Sequence, residues 1–319
     1  MMKKTAKRFT IWAMALALVF TTAVPAFGQT RGPSGDIEAY AISGENVIGP
    51  EGASDQGKMT LSEAAGDTGY ENEDSYGWQT IDGKKYYIDE WTGKPVVGAQ
   101  KIGQKYYCFK QNGELANSGW VTVYGFKWYV KDGVIQTGLK TIKGCKYYFE
   151  PTKNESYTLD NGTEIYIYGI MCNGGLYKKY IIAYNGKLFK IPSAKKDKKC
   201  KKIAKLIARC SGKGVKGMSD LQKVQQASYT IYAFYGRCKY SMKAKNYNKP
   251  YGVFYSKKCS CAGTARAMGL VLKYMGFKYK HVNKNKYKHQ WCSLKMDGKK
   301  GWADGMIGGA DYGKHPAAK

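Results

Sequence analysis

Residues 251–305 read YGVFYSKKCSCAGTARAMGLVLKYMGFKYKHVNKNKYKHQWCSLKMDGKKGWADG, and this stretch carries the most chemistry in the chain. Past Cys261, the apolar residues Ala265, Met268, Leu272 and Met275 recur at the steps of one helix face, and Gly276 ends the run. A helix therefore opens at or next to Cys261. The unpaired N–H groups and the positive end of the dipole at such a start favour thiolate over thiol, and Lys257 and Lys258 push the same way. Downstream, residues 289–296 read as a strand, and Asp297-Gly298 is a strong two-residue hairpin signal leading into residues 299–304. Such a turn pairs Met296 with Lys299, so Trp291 faces Asp304 and His289 faces Met306. His289 and Asp304 then share one face as diagonal neighbours, whereas an odd-length turn would set them on opposite faces.

A thiolate, an imidazole and a carboxylate in that relation are the parts of an activated nucleophile. The acid holds the imidazole tautomer while the other ring nitrogen addresses the thiol. The expected roles are Cys261 as nucleophile, His289 as base and Asp304 as its orienting acid. Cys259 is a rival nucleophile two residues away, Asp311 is the alternative acid, and the other histidines, His281 and His315, lack a comparable context. A metal site from Cys259, Cys261, His289 and Cys292 is conceivable, but a Cys-x-Cys pair is tighter than usual structural zinc spacing, so no metal and no cofactor is expected. Three segments resemble the transglutaminase-like family, whose order is a helix-opening Cys, a strand His and a strand Asp: CAGTARA at 261–267, HQW at 289–291 and WAD at 302–304. The lead-in SDLQKVQQASYTIYAFYGRCKY at 219–240 resembles the family's preceding helix. The resemblance covers about 215–305. It implies a papain-like α+β domain and acyl transfer from a carboxamide or peptide bond through a Cys261 thioester, ending in cross-linking or hydrolysis. The sequence departs from the family at Cys259, where glycine is frequent, and in the short step from Trp302 to Asp304.

Upstream, DKKCKKIAKLIARC places Ile203, Leu206, Ile207 and Cys210 at helical spacing, with Gly212 and Gly214 ending that helix. Ser219 and Gln222 have the spacing of a capping box for a second helix. Before these, from Tyr76 to about 192, the texture is different. The aromatic pairs Tyr86-Tyr87, Tyr106-Tyr107, Trp128-Tyr129 and Tyr147-Tyr148 recur in step with Gly83, Gly103, Gly125 and Gly144, one short hairpin per unit. The segments GWQTIDGKKYYIDEWTGKPVVG and SGWVTVYGFKWYVKDGVIQTG resemble the choline-binding and glucan-binding cell-wall repeats of Gram-positive surface proteins. A lone hairpin of this length is marginal, so units must stack into a β-hairpin solenoid with grooves between them. The resemblance implies that Trp78, Tyr87, Trp91, Tyr107, Trp120, Trp128, Tyr129 and Tyr148 line those grooves and cage a quaternary ammonium or meet a glucan.

Residues 29–75 are acidic, carry a net charge of −8, and show no sustained period, which reads as a flexible linker. Lys3, Lys4, Lys7 and Arg8 precede an apolar run over residues 11–23 that is too short to span a bilayer, so residues 1–28 read as a secretory signal, with Ala26 and Gly28 at the minus-three and minus-one positions of a cut before Gln29 and a cut after Ala26 as the alternative. The charge of +28 is concentrated in residues 193–319, which carry +25. In an exported chain that balance points to wall teichoic acids, acidic glycans or the membrane surface rather than nucleic acid, with a solvated lysine-rich face as the alternative. The nine cysteines allow disulfides and leave at least one unpaired within a monomer. The expected organisation is multidomain: signal peptide 1–28, linker 29–75, wall-binding repeats 76–192 and a catalytic domain 193–319. The expected protein is secreted, has no transmembrane segment, and takes a cell-wall polymer and a protein or peptide substrate as partners. The alternative is a surface adhesin whose thiol domain is inactive.

Overall fold

The computed structural model describes residues 76–159, 162–193, 198–283 and 288–318, with the backbone of two short strands at Phe27–Gly28 and Ile37–Ile42. The repeat region begins with four hairpins: Gly77–Ile81 with Lys84–Ile88, Gly98–Ile102 with Lys105–Phe109, Gly119–Val123 with Phe126–Lys131, and Gly138–Ile142 with Cys145–Phe149. Each closes over a two-residue loop, as the pairs Ile81↔Lys84, Ile102↔Lys105, Val123↔Phe126 and Ile142↔Cys145 require. Three of the loops place a left-handed residue before glycine, as in Asp82 (φ 49°) and Gly83 (φ 73°), which is the turn whose twist matches that of the flanking strands. The second loop puts its glycine first, at Gly103.

Hairpin joins hairpin through rings rather than a shared ladder. Trp78 lies 4.9 Å from Tyr107 and 5.9 Å from Phe109 of the next unit. Trp120 repeats this two units later with Tyr147 at 5.1 Å and Phe149 at 5.9 Å. A fifth, decayed hairpin, Ser156–Thr158 with Glu164–Tyr166, folds back so that Ile165 and Ile167 pack with Trp128, Val121 and Ile135.

The packing does not divide at residue 192. The strands Asn173–Tyr177, Tyr180–Ile182 and Leu188–Lys190 form one sheet with two buried faces. Tyr177, Ile182 and Leu188 pack with Tyr148 and Cys172 of the repeats, while Leu176, Ile181 and Ala183 belong to the core of the C-terminal domain. The sheet continues through Ile37–Ile42 to an edge strand at Phe27–Gly28, so part of the segment read as a linker, and the last two residues of the expected signal, are strands. IEAYAI is too short a run, in an acidic surround, for its period to stand out. The remainder of 29–75 and residues 1–26 of the expected signal lie outside the described residues.

The C-terminal domain has three helices, α1 (Lys198–Cys210), α2 (Asp220–Tyr235) and α3 (Cys261–Met275). Its antiparallel sheet runs in sequence order through β1 (Tyr279–Val282), β2 (Trp291–Met296), β3 (Lys299–Asp304) and β4 (Gly309–Tyr312). The capping box of α2 is present: the Gln222 N–H donates to the Ser219 hydroxyl at 3.1 Å, and the Ser219 N–H to the Gln222 side chain at 2.9 Å. α3 opens on Cys261 and ends at Gly276 (φ 98°), whose N–H donates to the Leu272 and Lys273 carbonyls. Val224, Ala227 and Ile231 of α2, Met268, Val271 and Leu272 of α3, and Leu294, Met296 and Ala303 of the sheet fill one core. Asp297 (φ 49°) and Gly298 (φ 76°) form the two-residue turn that pairs Met296 with Lys299 and Cys292 with Ala303. Asp297 also accepts the N–H groups of Asp220 at 2.8 Å and Leu221 at 3.0 Å, tying the turn to the start of α2. Among the described residues no helix is long and apolar enough to cross a membrane.

A fragment beginning at residue 193 loses Leu176 and Ile181, both fully buried, from its core. Burying each contributes about 2 kcal/mol. Residues 193–319 should therefore melt at least ~10 °C below residues 172–319 when followed by circular dichroism. Equal melting temperatures would place the boundary back at 193.

Candidate functional site

The thiol centre is assembled from the start of α3 and the adjoining ends of β2 and β3. Helix α3 can approach its neighbours there because Gly263 has no Cβ, and one added at that position would run into the Tyr247 carbonyl. Cys261 is half-buried at the helix start, His289 stands just before β2 with 19% of its side chain exposed, and Asp304 at the end of β3 is fully buried. His289 Nε2 lies 2.5 Å from Asp304 Oδ2, which leaves Nδ1 for the Cys261 thiol, and the two side chains are hydrogen bonded. The hydrogen bond with His289 holds the thiol below its ordinary value. Burial opposes this, and the charge of His289 and the backbone N–H groups of Ala262 and Gln290 reinforce it. His289 is raised to about 9 by its hydrogen bonds to Asp304 and to Cys261, against burial. Burial would raise Asp304, but donors from His289, His315 and the Met306 N–H together hold it below the usual carboxylate range. The arrangement thus favours the thiolate form of Cys261 and the charged form of His289.

Two members of this site were not singled out by the sequence. His315 Nδ1 accepts the Ala317 N–H at 3.1 Å, so its proton sits on Nε2, which donates to Asp304 Oδ2 at 3.1 Å. The ring is stacked on Trp291 at 4.2 Å and meets the edge of Trp302 at 4.6 Å. It reaches the site from beyond β4, with no local pattern to announce it. Tyr240 is the other: its hydroxyl is hydrogen bonded to Cys261, and burial, then the charge of that thiol, raise the phenol. A two-residue parallel pairing, Lys239↔Lys258 and Tyr240↔Cys259, carries it there from 21 residues upstream of Cys261.

The alternatives separate cleanly. Cys259 is fully buried and faces Cys238, whose hydrogen bond lowers it against burial. Cys292 donates to the Ala265 carbonyl at 3.3 Å, and burial raises its thiol. Asp311 is exposed on β4, and His281 rests on the Ala265 carbonyl at 3.2 Å. Among the described residues, ligand atoms of His289, Asp304 and His315 lie within 4.8 Å of one another. A metal on His315 Nε2 would force a proton onto Nδ1, against the Ala317 N–H, so this set suits hydrogen bonding rather than an ion.

The expected groove aromatics divide into two groups. Trp78, 43% exposed, lies 5.5 Å from Tyr87 and 4.9 Å from Tyr107. Trp120, 42% exposed, lies 5.2 Å from Tyr129 and 5.1 Å from Tyr147, so two equivalent half-cages recur along the stack. The other three expected residues are elsewhere. Trp91 stands 87% exposed in a turn. Trp128 is buried, its indole N–H donating to the Tyr168 carbonyl at 3.1 Å. Tyr148 packs on Tyr177 at 4.0 Å, and Tyr147 takes the groove position. The reason is strand phase. A fixed offset from the turn glycine selects Tyr107 and Tyr148 alike, but Gly103 is the first residue of its turn and Gly144 the second, so the offset lands on opposite faces.

No protein-family model matches the chain. Glucosyltransferase-S of Streptococcus mutans is 35% identical over 132 residues, which span 36% of this chain and 9% of that protein. The chain thus matches only a small part of that relative's length. Among solved structures, choline binding protein F from Streptococcus pneumoniae is 24% identical with a TM-score of 0.25, over 36% of this chain and 34% of that one. The modular Cpl-1 endolysin is 29% identical with a TM-score of 0.24, over 38% and 32% of the two chains. The chain is thus similar to part of that glucosyltransferase, and its repeat region is a series of small antiparallel β-hairpins. The transglutaminase-like resemblance of the C-terminal region finds no support among these relatives.

Iodoacetamide should alkylate Cys261 fastest among the cysteines near pH 7, with the rate reaching its plateau below the ~8.5 of a free thiol. Asp304→Asn removes the largest cause that raises His289, so the imidazole becomes neutral and the alkylation profile moves to alkaline pH. Mass mapping across pH checks both. Dominant labelling at Cys259, or an unshifted profile in Asp304→Asn, would contradict the geometry.

Proposed function

We propose that the protein is a wall-bound, exported thiol enzyme in which the repeats supply attachment and Cys261 supplies acyl transfer. The observation that carries the chemical half is the unbroken hydrogen-bonded line from Cys261 through His289 to buried Asp304. In this reading the thiolate attacks the carbonyl carbon of a carboxamide or peptide bond. The backbone N–H groups of Ala262 and Gln290, beside the sulfur, are placed to receive the oxyanion. The C–N bond breaks as His289 gives its proton to the leaving amine, and a thioester remains on Cys261. An incoming amine or water then loses its proton to His289 and releases the acyl group, restoring the thiolate. Asp304 stays ionised throughout, and His315 acts on it as a positioning residue. The order of the three residues and the resemblance of 215–305 to transglutaminase-like domains support the same assignment.

The attachment half rests on the 35% match to a glucosyltransferase and on the two half-cages. A choline headgroup or the face of a glucan sugar would meet Trp78 and Trp120 there. A second reading, a surface-binding protein with an idle thiol, draws on the same repeats and is favoured by that match. Intact-mass analysis with an amine donor and a glutamine-bearing peptide, against the peptide alone, distinguishes them. Cys261→Ser and His289→Ala should each abolish turnover, and adding Asp304→Asn to His289→Ala should cost little more, because the acid acts only through the base. No mass change in any arm, with wall binding intact, would leave the surface-binding reading. For attachment, Trp78→Ala with Trp120→Ala should weaken binding to isolated walls about tenfold or more, and Trp91→Ala should leave it unchanged. Equal effects would remove the half-cages from the account.

A further inference from the structure

Cys238 and Cys259 take no part in the line from Cys261 to Asp304, but they meet each other beside it. Cys238 follows the end of α2 and is half-buried, and Cys259 precedes the start of α3 and is fully buried. Their side chains are hydrogen bonded. The backbone brings them there: Lys239 pairs with Lys258 and Tyr240 with Cys259 in a parallel ladder of two residues. The Lys239 N–H donates to the Lys257 carbonyl at 2.8 Å, and the Ser241 N–H to the Cys259 carbonyl at 2.9 Å. The chain that follows, residues 241–249, runs through turns and bends, and none of those residues is buried. So short a ladder beside so open a segment has little packing to hold it closed.

The surroundings of Cys238 suit neutral sulfur. Its Sγ lies 3.3 Å from the Phe234 carbonyl, 3.5 Å from that of Val253 and 3.9 Å from that of Gly252. Carbonyl oxygens at these distances disfavour a thiolate and tolerate a thiol or a disulfide. The S–H bonds are weak, and the Phe234 carbonyl keeps the Arg237 N–H at 3.2 Å when the thiol proton is gone. A cross-link between positions about 20 residues apart would also restrict the unfolded chain and so stabilise the fold.

We propose that Cys238 and Cys259 form a disulfide that clamps the end of α2 to the start of α3, with a low-molecular-weight disulfide as oxidant. The two thiols give up two protons and two electrons, one S–S bond forms between them, and the S–S bond of the oxidant breaks to two thiols. Half-buried Cys238 is the point of entry, since Cys259 is closed to solvent. The bond withdraws Cys259 as a competitor of Cys261 and fixes the strand that carries Tyr240 to that thiol. It rests on the facing pair and not on acyl transfer. The full chain is reduced, cleared of reductant and incubated with glutathione disulfide, then mapped by mass spectrometry without reduction. A peptide joining Cys238 to Cys259, lighter by two hydrogens, is expected in the wild type and equally in Cys261→Ser, which separates this bond from the nucleophile. Oxidation should raise the melting temperature by at least about 5 °C and slow amide exchange over residues 239–241 about tenfold or more. Cys238→Ala should lose both gains, and the oxidised and reduced wild type carry the comparison if that variant does not fold. Recovery of Cys238 and Cys259 as alkylated thiols after oxidation, Cys259 joined to Cys261 instead, or the same rise in melting temperature in Cys238→Ala would overturn the proposal.

Discussion

The burial of the Asp304 carboxylate is the constraint on which the C-terminal domain turns. An ionised carboxylate without water is costly unless its lone pairs are occupied. Here one oxygen takes His289 and His315, and the other takes the Met306 N–H at 2.7 Å. Those donors come from either side of β2 to β4, so the sheet must hold its register for the charge to be tolerated. The register is fixed by the Asp297-Gly298 turn, because a one-residue slip would turn Asp304 to the opposite face. Asp297 then binds the first N–H groups of α2, with its carboxyl held low by those donors against burial. One short turn thereby sets strand phase, helix placement and the orientation of the imidazole that meets Cys261.

A comparable economy holds in the repeats. Each two-stranded unit has too little surface to bury by itself, and the rings that close one unit against the next remain partly exposed. Trp78 and Trp120 serve both purposes, packing on one side and standing open on the other. The last sheet of the region joins the modules by the alternation of its own residues, with Ile181 facing the C-terminal core and Ile182 the repeats.

Much of this was legible in the sequence where a local rule governs the outcome. The capping box at Ser219, the helix from Cys261 to Gly276 and the pairing across Asp297-Gly298 all follow from short-range chemistry, and they suffice to bring Cys261, His289 and Asp304 together. What escaped depends on phase or on distance. A fixed offset from glycine points to Tyr148 instead of Tyr147 because Gly103 and Gly144 occupy different positions in their turns. Trp128 reads like its neighbours, yet a folded-back fifth unit covers it. His315 and Tyr240 arrive by long-range packing that no spacing encodes. The sheet of Asn173–Lys190 matches the repeats in composition, and only its contacts reveal that it serves both cores.

The central claim is that buried Asp304 keeps His289 charged beside Cys261 at neutral pH while His315 directs its Nε2–H at the same carboxylate. Imidazole ¹⁵N NMR on the full chain reads this directly. At about pH 7.5 the account predicts two protonated nitrogens on His289, losing a proton near 9, and a single Nε2–H tautomer on His315. A neutral His289 at that pH, titrating near the ordinary ~6.5, would contradict it.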